Sequence, residues 1–152
     1  MIEIDFSFKD KLDQVIGGEM HSFCFQCGAC VGDCPSARYS EKFNPRLIML
    51  KTILGQYQEL LTENSIIWEC TNCYNCYERC PQDVRPVEVI VALKNMIAQK
   101  KQSPPKVQQM VDAVEKTGRT VIVTPTSQRI RNELGLKPVA ELAMDELKEI
   151  LA

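Results

Sequence analysis

Eight cysteines fall in two runs of one pattern: Cys24-x2-Cys27-x2-Cys30-x3-Cys34-Pro35 and Cys70-x2-Cys73-x2-Cys76-x3-Cys80-Pro81. Thiolate is the soft ligand that iron–sulfur clusters take, and cysteines three apart in a tight loop can wrap three corners of a 4Fe–4S cube. A run of this spacing closed by Cys-Pro marks one such site, so two runs predict two 4Fe–4S clusters. No cysteine is left for a nucleophile, a disulfide or a third centre. A structural zinc site would separate two cysteine pairs by roughly 12–20 residues, often with histidine, rather than crowd four cysteines into one short loop.

A fourth cysteine from the same short segment is hard to aim at the last corner, and in two-cluster ferredoxins it ligates the other cube. Carried onto this chain, Cys24, Cys27, Cys30 and Cys80 hold the first cluster, and Cys70, Cys73, Cys76 and Cys34 the second. Such crossing predicts clusters close enough for electron transfer, and a fold that depends on its metal. Pro35 and Pro81 turn the chain away after each remote ligand without leaving an amide to satisfy. Gly28 and Gly32 are expected to let backbone approach the first cluster. The second loop offers Asn72, Tyr74, Asn75 and Tyr77 instead, so the two clusters should differ in reduction potential.

The elements that position these loops repeat as well. The second run lies 46 residues after the first, and each is followed by a proline that can start a helix: Asn44-Pro45 before RLIMLKTIL, and Arg85-Pro86 before VEVIVALKNMI. Leu47, Leu50 and Leu54, with Ile48 and Ile53, predict the buried stripe of the first helix; Val89, Ile90, Leu93 and Ile97 predict that of the second. These helices should pack together over the clusters. Ser7 to Ile16 reads as an amphipathic helix stopped by Gly17-Gly18, and Gln56 to Ile67 as helix broken near Glu63–Ser65. Lys100 to Pro105 is the expected boundary between a two-cluster domain, residues 1–100, and a C-terminal extension, 101–152. In the extension Val107, Met110, Val111 and Val114 share a helical face ending at Gly118. Thr120–Thr124 is the one strand candidate, and Ser127–Leu134 and Val139–Leu151 read as helices. The fold class is mainly α, with an internal pseudo-two-fold repeat.

Other residues near the runs have modest expected roles. His21, the sole histidine, reads as a polar lid near the first cluster, and Trp68 as a shield near the second. Tyr74 and Tyr77 read as packing residues, while Arg38, Lys42 and Arg46 form a sparse basic group, read as solvated with partner docking as the alternative. Asp33, Glu69 and Glu78 should face solvent. No nucleophile–base pair or phosphate-binding glycine loop is evident, so the chain is not expected to cleave a substrate itself.

The 152 residues are 45% apolar and 25% charged, with a formal net charge of −2. Loading with two clusters would take the charge to about −6, since eight thiolates outweigh two cubes of about +2. An acidic chain without a recognition motif argues against nucleic acid. The opening MIEIDFSFKD has neither a basic segment nor an apolar one, and no apolar run is long enough to span a bilayer. Together with eight cysteines, this predicts a reducing, cytoplasmic setting with no membrane partner.

CFQCGACVGDCPSARYSEKFNPRLIMLK (Cys24 to Lys51) and WECTNCYNCYERCPQDVRPVEVIVALKN (Trp68 to Asn95) resemble the C-subunit family of soluble heterodisulfide reductases from methanogenic archaea. Within the wider α-helical ferredoxin group, the PxxYS segment after Cys34 and the Trp-Glu-Cys opening of the second run narrow the likeness, which covers roughly residues 23–96. It implies an electron-transfer protein with the A and B subunits of heterodisulfide reductase as partners. It would take electrons from the flavin-bearing A-type partner and pass them to the B-type partner, which cleaves the coenzyme M–coenzyme B disulfide. Flavin-based bifurcation would couple the complex to a hydrogenase or formate dehydrogenase. The chain has no Cys-Cys-Gly pair of the kind that holds the disulfide-cleaving centre. It also lacks the plant-type 2Fe–2S motif of the succinate dehydrogenase iron–sulfur proteins. The alternative is a dicluster ferredoxin serving another oxidoreductase.

Overall fold

A computed structural model describes residues 4–16, 19–139 and 144–151. Among the described residues, nine α-helices and several short 3-10 turns account for the regular structure, and there is no strand. The chain divides into two compact units, Met1–Ser103 and Pro104–Ala152.

The first unit contains α1 (Phe8–Ile16), α2 (Ala29–Gly32), α3 (Pro35–Tyr39), α4 (Pro45–Ile53), α5 (Asn75–Glu78) and α6 (Pro86–Gln99). Proline occupies the first turn of α3, α4 and α6, where its missing N–H would have no partner anyway. Asn44 caps α4 through its side-chain oxygen, which accepts from Leu47 N at 3.1 Å. Arg85, before α6, offers no such cap and sits instead at φ 56°. Gly17-Gly18, the expected stop of α1, lies outside the described residues.

The three longest helices of this unit, α1, α4 and α6, pack on one another. Phe8 and Leu12 of α1, Ile48 and Met49 of α4, and Ile90 and Leu93 of α6 form the centre of the core. The stripe of α6 is the expected one: Val89, Ile90, Leu93 and Ile97 are all buried. In α4 the buried face is Pro45, Ile48, Met49 and Thr52, whereas Leu47 and Leu54 are 41% and 42% exposed. The segment is apolar on nearly every side, so periodicity alone did not select the face. Thr52 joins the buried face because its hydroxyl donates to Ile48 O at 2.8 Å, satisfying the polar atom inside the core.

Gln56–Ile67 is not an α-helix. It contains 3-10 turns at Gln58–Leu60 and, overlapping its end, Ile66–Glu69. Leu60 and Ile67 are buried, so the segment is anchored at two points instead of along a face. Gly55, just after α4, has φ +70°, and a Cβ there would lie 2.2 Å from Asp5 O. The Asp5 amide donates to Gly55 O at 3.2 Å, which ties the N-terminal segment to the end of α4. Phe8 stacks on Tyr57 at 3.7 Å and 14°.

The second unit holds α7 (Pro105–Thr117), α8 (Pro125–Glu133) and α9 (Met144–Leu151). Gly118 ends α7 in the left-handed conformation, φ 68°, as expected of a helix-terminating glycine. α7 packs against α9, yet no described residue of this unit is buried, and Met110 and Val111 of the expected stripe stay exposed. Thr120–Thr124 is not a strand: it is irregular chain, with Val121 and Ile122 74% and 61% exposed. A strand exists only as part of a hydrogen-bonded ladder, and no second β segment among the described residues pairs with it. Val139 is not helical, the last described helix is Met144–Leu151, and residues 140–143 of the expected helix lie outside the described set.

Candidate metal centre

The two cysteine loops share one backbone path. Gln26 and Gly28 adopt positive φ values of 56° and 86°, and Asn72 and Tyr74, 46 positions on, adopt 53° and 63°. Gly28 and Tyr74 then act as the left-handed residues that start α2 and α5. These paired turns fold each loop around its own cysteines. Glycine takes the conformation at little cost; a tyrosine held there costs about 1–2 kcal/mol. Gly32, by contrast, is ordinary helix with nothing within 4 Å of a Cβ position, so the expected close approach to the first site rests on Gly28 alone.

α2 and α5, the two repeat-related turns of helix, touch each other. The loops are also cross-linked by polar contacts. Ser36 Oγ donates to Glu69 O at 2.7 Å, and Asn75 Nδ2 donates to Asp33 O at 3.1 Å. The result is that the last cysteine of each run faces the other run's loop. Cys24, Cys27, Cys30 and Cys80 line one cavity, walled by Phe25, Arg46, Val84 and Pro86. Cys34, Cys70, Cys73 and Cys76 line the other, walled by Phe43, Pro45, Val87 and Ile90.

No histidine or carboxylate lines either cavity. Cys34 and Cys76 are buried, while Cys27 and Cys73, the second cysteine of each run, are exposed. N–H groups turn to the sulfurs: Gln26 Nε2 donates to Cys24 Sγ at 3.2 Å, and Val84 N donates to Cys80 Sγ at 3.3 Å. An all-thiol donor set, N–H donors on sulfur and largely apolar walls fit an iron–sulfur cluster.

Burial dominates the electrostatics. It pushes Cys30 up to about 11, reinforced by the charge of Cys24. It pushes Cys76 up to about 12, with Cys70 and, from the other cavity, Cys30 adding to the rise. Cys30 and Cys76 stand on α2 and α5, which touch each other, so the two cavities are neighbours. Cys70 is also raised by burial, although the Asn72 amide and the Lys94 ammonium pull it down. Left to themselves these thiols hold their protons at neutral pH, so metal binding must displace them. Lys94 is half-buried. Its Nζ donates to Cys70 O at 3.0 Å and to Asn72 Oδ1 at 3.2 Å, and stands 5.7 Å from the Trp68 ring centre. Burial lowers its pKa and the Cys70 charge raises it.

His21 lines neither cavity; it is buried, with Nδ1 2.9 Å from Asp13 Oδ1. Trp68 packs on the core. Tyr74 is half-exposed at the second cavity, tilted against Tyr77 at 6.1 Å, and Tyr77 carries the Arg85 guanidinium 5.3 Å from its ring centre. Arg46 is no solvated outlier, because it lines the first cavity. Arg38 and Lys42 are exposed. Asp33 is bound, 2.7 Å from Arg79 Nε and 4.0 Å from Arg38, while Glu69 and Glu78 are exposed. Lys94 was missed from the sequence, though a signal existed. It sits four residues after Ile90 and three before Ile97, on the buried stripe of α6, where a lysine needs a reason.

Residues 20–84 match the 4Fe–4S dicluster domain family. Over 134 residues the chain is 35% identical to the iron–sulfur C-subunit of the CoB–CoM heterodisulfide reductase of Methanopyrus kandleri, covering 84% of this chain and 69% of that protein. It is 33% identical over 130 residues to the C2-subunit of the H(2)/formate:CoB-CoM heterodisulfide,ferredoxin reductase of Methanococcus maripaludis, with 84% and 69% covered. To the C-subunit of the Ferredoxin:CoB-CoM heterodisulfide reductase of Methanosarcina mazei it is 30% identical over 134 residues, with 84% and 81% covered. Among the described residues no helix is long and apolar enough to cross a membrane. The chain is an iron–sulfur electron-transfer protein of the α-helical ferredoxin type, and it belongs to the family of heterodisulfide reductase iron–sulfur C-subunits.

Proposed function

We propose that this chain is the electron relay of a heterodisulfide reductase. It takes electrons from the flavin-bearing, iron–sulfur A-type partner and delivers them to the B-type partner, which reduces the coenzyme M–coenzyme B disulfide during methanogenesis. One 4Fe–4S cluster is held by Cys24, Cys27, Cys30 and Cys80, the other by Cys70, Cys73, Cys76 and Cys34. The observation that carries this reading is the grouping of three cysteines of each run with the last cysteine of the other around two adjoining cavities. When bound, such a cluster accepts and releases single electrons.

The residues around the cavities supply what a relay needs. The αL turns at Gln26/Gly28 and Asn72/Tyr74 hold the loops, and the apolar walls keep water from the inner sulfurs. The exposed Cys27 and Cys73 give each site an edge at the surface, where an electron can pass to or from a neighbouring protein. The names of the relatives support a relay that is not tied to one donor: they mention H(2)/formate or ferredoxin, while the CoB–CoM heterodisulfide is common to them. A hydrogenase or formate dehydrogenase is then the indirect partner, and the setting is cytoplasmic.

Ligation is tested by matching phenotypes. Cys80→Ser should lose the same cluster as Cys24→Ser, and Cys34→Ser the same as Cys70→Ser, judged by electron paramagnetic resonance and iron content. Cys80→Ser matching Cys70→Ser would overturn the crossed sets. The loaded chain alone, given an artificial donor, should not reduce the heterodisulfide; turnover by the isolated chain would sink the relay reading.

A further inference from the structure

The repeat exposes an asymmetry in charge. The helices α4 and α6 align through Pro45 and Pro86, which places Lys94 opposite Ile53. The loops align through their cysteines, which places Trp68 opposite Ser22. The second site therefore has a lysine on an indole where the first has an isoleucine and a serine.

Lys94 is half-buried, and among the described residues no carboxylate lies within ion-pair distance of its ammonium. Its acceptors are the carbonyl of Cys70 and the amide oxygen of Asn72, at 3.0 and 3.2 Å. A half-buried cation without a counter-charge is costly. The ammonium sits against the backbone of Cys70, whose thiol is one of the four around that cavity and becomes a thiolate when it ligates. A neutral donor would have sufficed to hold the loop through two oxygen acceptors.

We infer that Lys94 is the counter-charge of the cluster bound by Cys34, Cys70, Cys73 and Cys76, and that it raises the reduction potential of that cluster. Reduction adds one electron, and hence one negative charge, to the ligated group. A cation held beside Cys70 stabilises the reduced form more than the oxidised one. The Trp68 face and the two oxygen acceptors hold the ammonium in place through the change. This inference rests on the proposed ligand sets.

The test uses the full chain loaded with both clusters, titrated potentiometrically with dithionite and followed by electron paramagnetic resonance. Lys94→Gln keeps a hydrogen-bond donor and removes the charge; Lys94→Met removes both; Lys94→Arg keeps the charge. Gln and Met variants should shift the reduced-to-oxidised ratio of one cluster toward oxidised at least tenfold at a given potential. This is a downward midpoint shift of about 59 mV for a one-electron couple. The other cluster should hold its midpoint, and Lys94→Arg should restore the first. Unmoved midpoints in a fully loaded Gln variant would overturn the proposal, as would equal shifts of both clusters. Loss of one cluster from the Gln variant, with the Arg variant loaded, would make Lys94 an assembly residue and equally overturn it. Failure of the ligand sets themselves would show instead in the cysteine variants, which pair clusters with thiols independently of any potential.

Discussion

One substitution, glycine to alanine, should have three different outcomes at three positions of the first unit. Gly32 is helical with open space around a Cβ, so Gly32→Ala should be neutral or stabilise by up to about 1 kcal/mol through helix propensity. Gly28 has φ +86° but only Arg46 Cδ, at 4.0 Å, near its Cβ position. Gly28→Ala therefore costs the left-handed penalty alone, about 1–2 kcal/mol. Gly55 combines φ +70° with backbone atoms of Asp5 at 2.2, 2.6 and 3.0 Å. Backbone cannot rotate aside as a side chain does, so Asp5 must move and its amide bond to Gly55 O is lost. Adding overpacking of about 1–3 kcal/mol to the conformational penalty gives a cost of about 2–5 kcal/mol for Gly55→Ala. The assay is urea unfolding of the loaded chain, read by helical circular dichroism and by cluster absorbance. Because a bound cofactor breaks strict two-state behaviour, the ordering of midpoints is the quantity to compare. Gly55→Ala should also separate the probes, loosening the α1 attachment before the clusters are lost. A Gly55→Ala midpoint equal to that of Gly32→Ala would refute the reasoning, since it would mean the Asp5–Gly55 approach is not part of the fold.

The same attachment should respond to acid. Hydrogen bonds from Ser7, Lys11 and Tyr57 hold the Asp5 carboxyl down at about 2, below its ordinary 3.8. Its contribution to stability is thus complete above the unfolded value and disappears as pH falls through about 2. The stability difference between the native chain and Asp5→Asn should be constant from pH 7 to 5 and shrink by pH 3; a difference independent of pH would contradict this. Cluster loading should respond to pH in the opposite region. With Cys30 and Cys76 raised to about 11 and about 12, reconstitution with iron and sulfide at pH 7 should release protons in weak buffer. Its apparent affinity should rise between pH 6 and 9, and an affinity flat over that range would count against protonated thiols.

How much of this was legible in the sequence follows from the kind of information each element needs. Cysteine spacing and proline at the helix starts are local features: the prolines stand in the first turns of α3, α4 and α6, and the cysteines line two cavities. The stripe of α6 was legible because Glu88, Asn95 and Gln99 mark the opposite side. That of α4 was not, because Leu47 and Leu54 are as apolar as Ile48 and Met49, and only tertiary packing separates them. Thr120–Thr124 has β-branched composition but no partner to pair with, a non-local condition that composition does not encode. The strained conformation of Tyr74 became visible only through its equivalence to Gly28. Arg46 and Lys94 gain their positions from how the two repeats face each other. Residue type alone suggested solvent for the first and nothing for the second.

The arrangement of the two cavities bears on how such a domain can assemble. Either run alone offers three thiols of one cavity and a left-handed loop, while its last cysteine lines the cavity of the other run. Two separate copies of that half could complete each other only by meeting as a symmetric pair, and completion would then depend on their concentration. Joining them through residues 35–69 makes the encounter intramolecular, so that each half meets its complement at a high effective concentration however dilute the protein. The molecule is in this sense a dimer carried on one chain. Being one chain, it is free to let its halves diverge, with Tyr74 for Gly28 and Lys94 for Ile53, which two identical copies could never do.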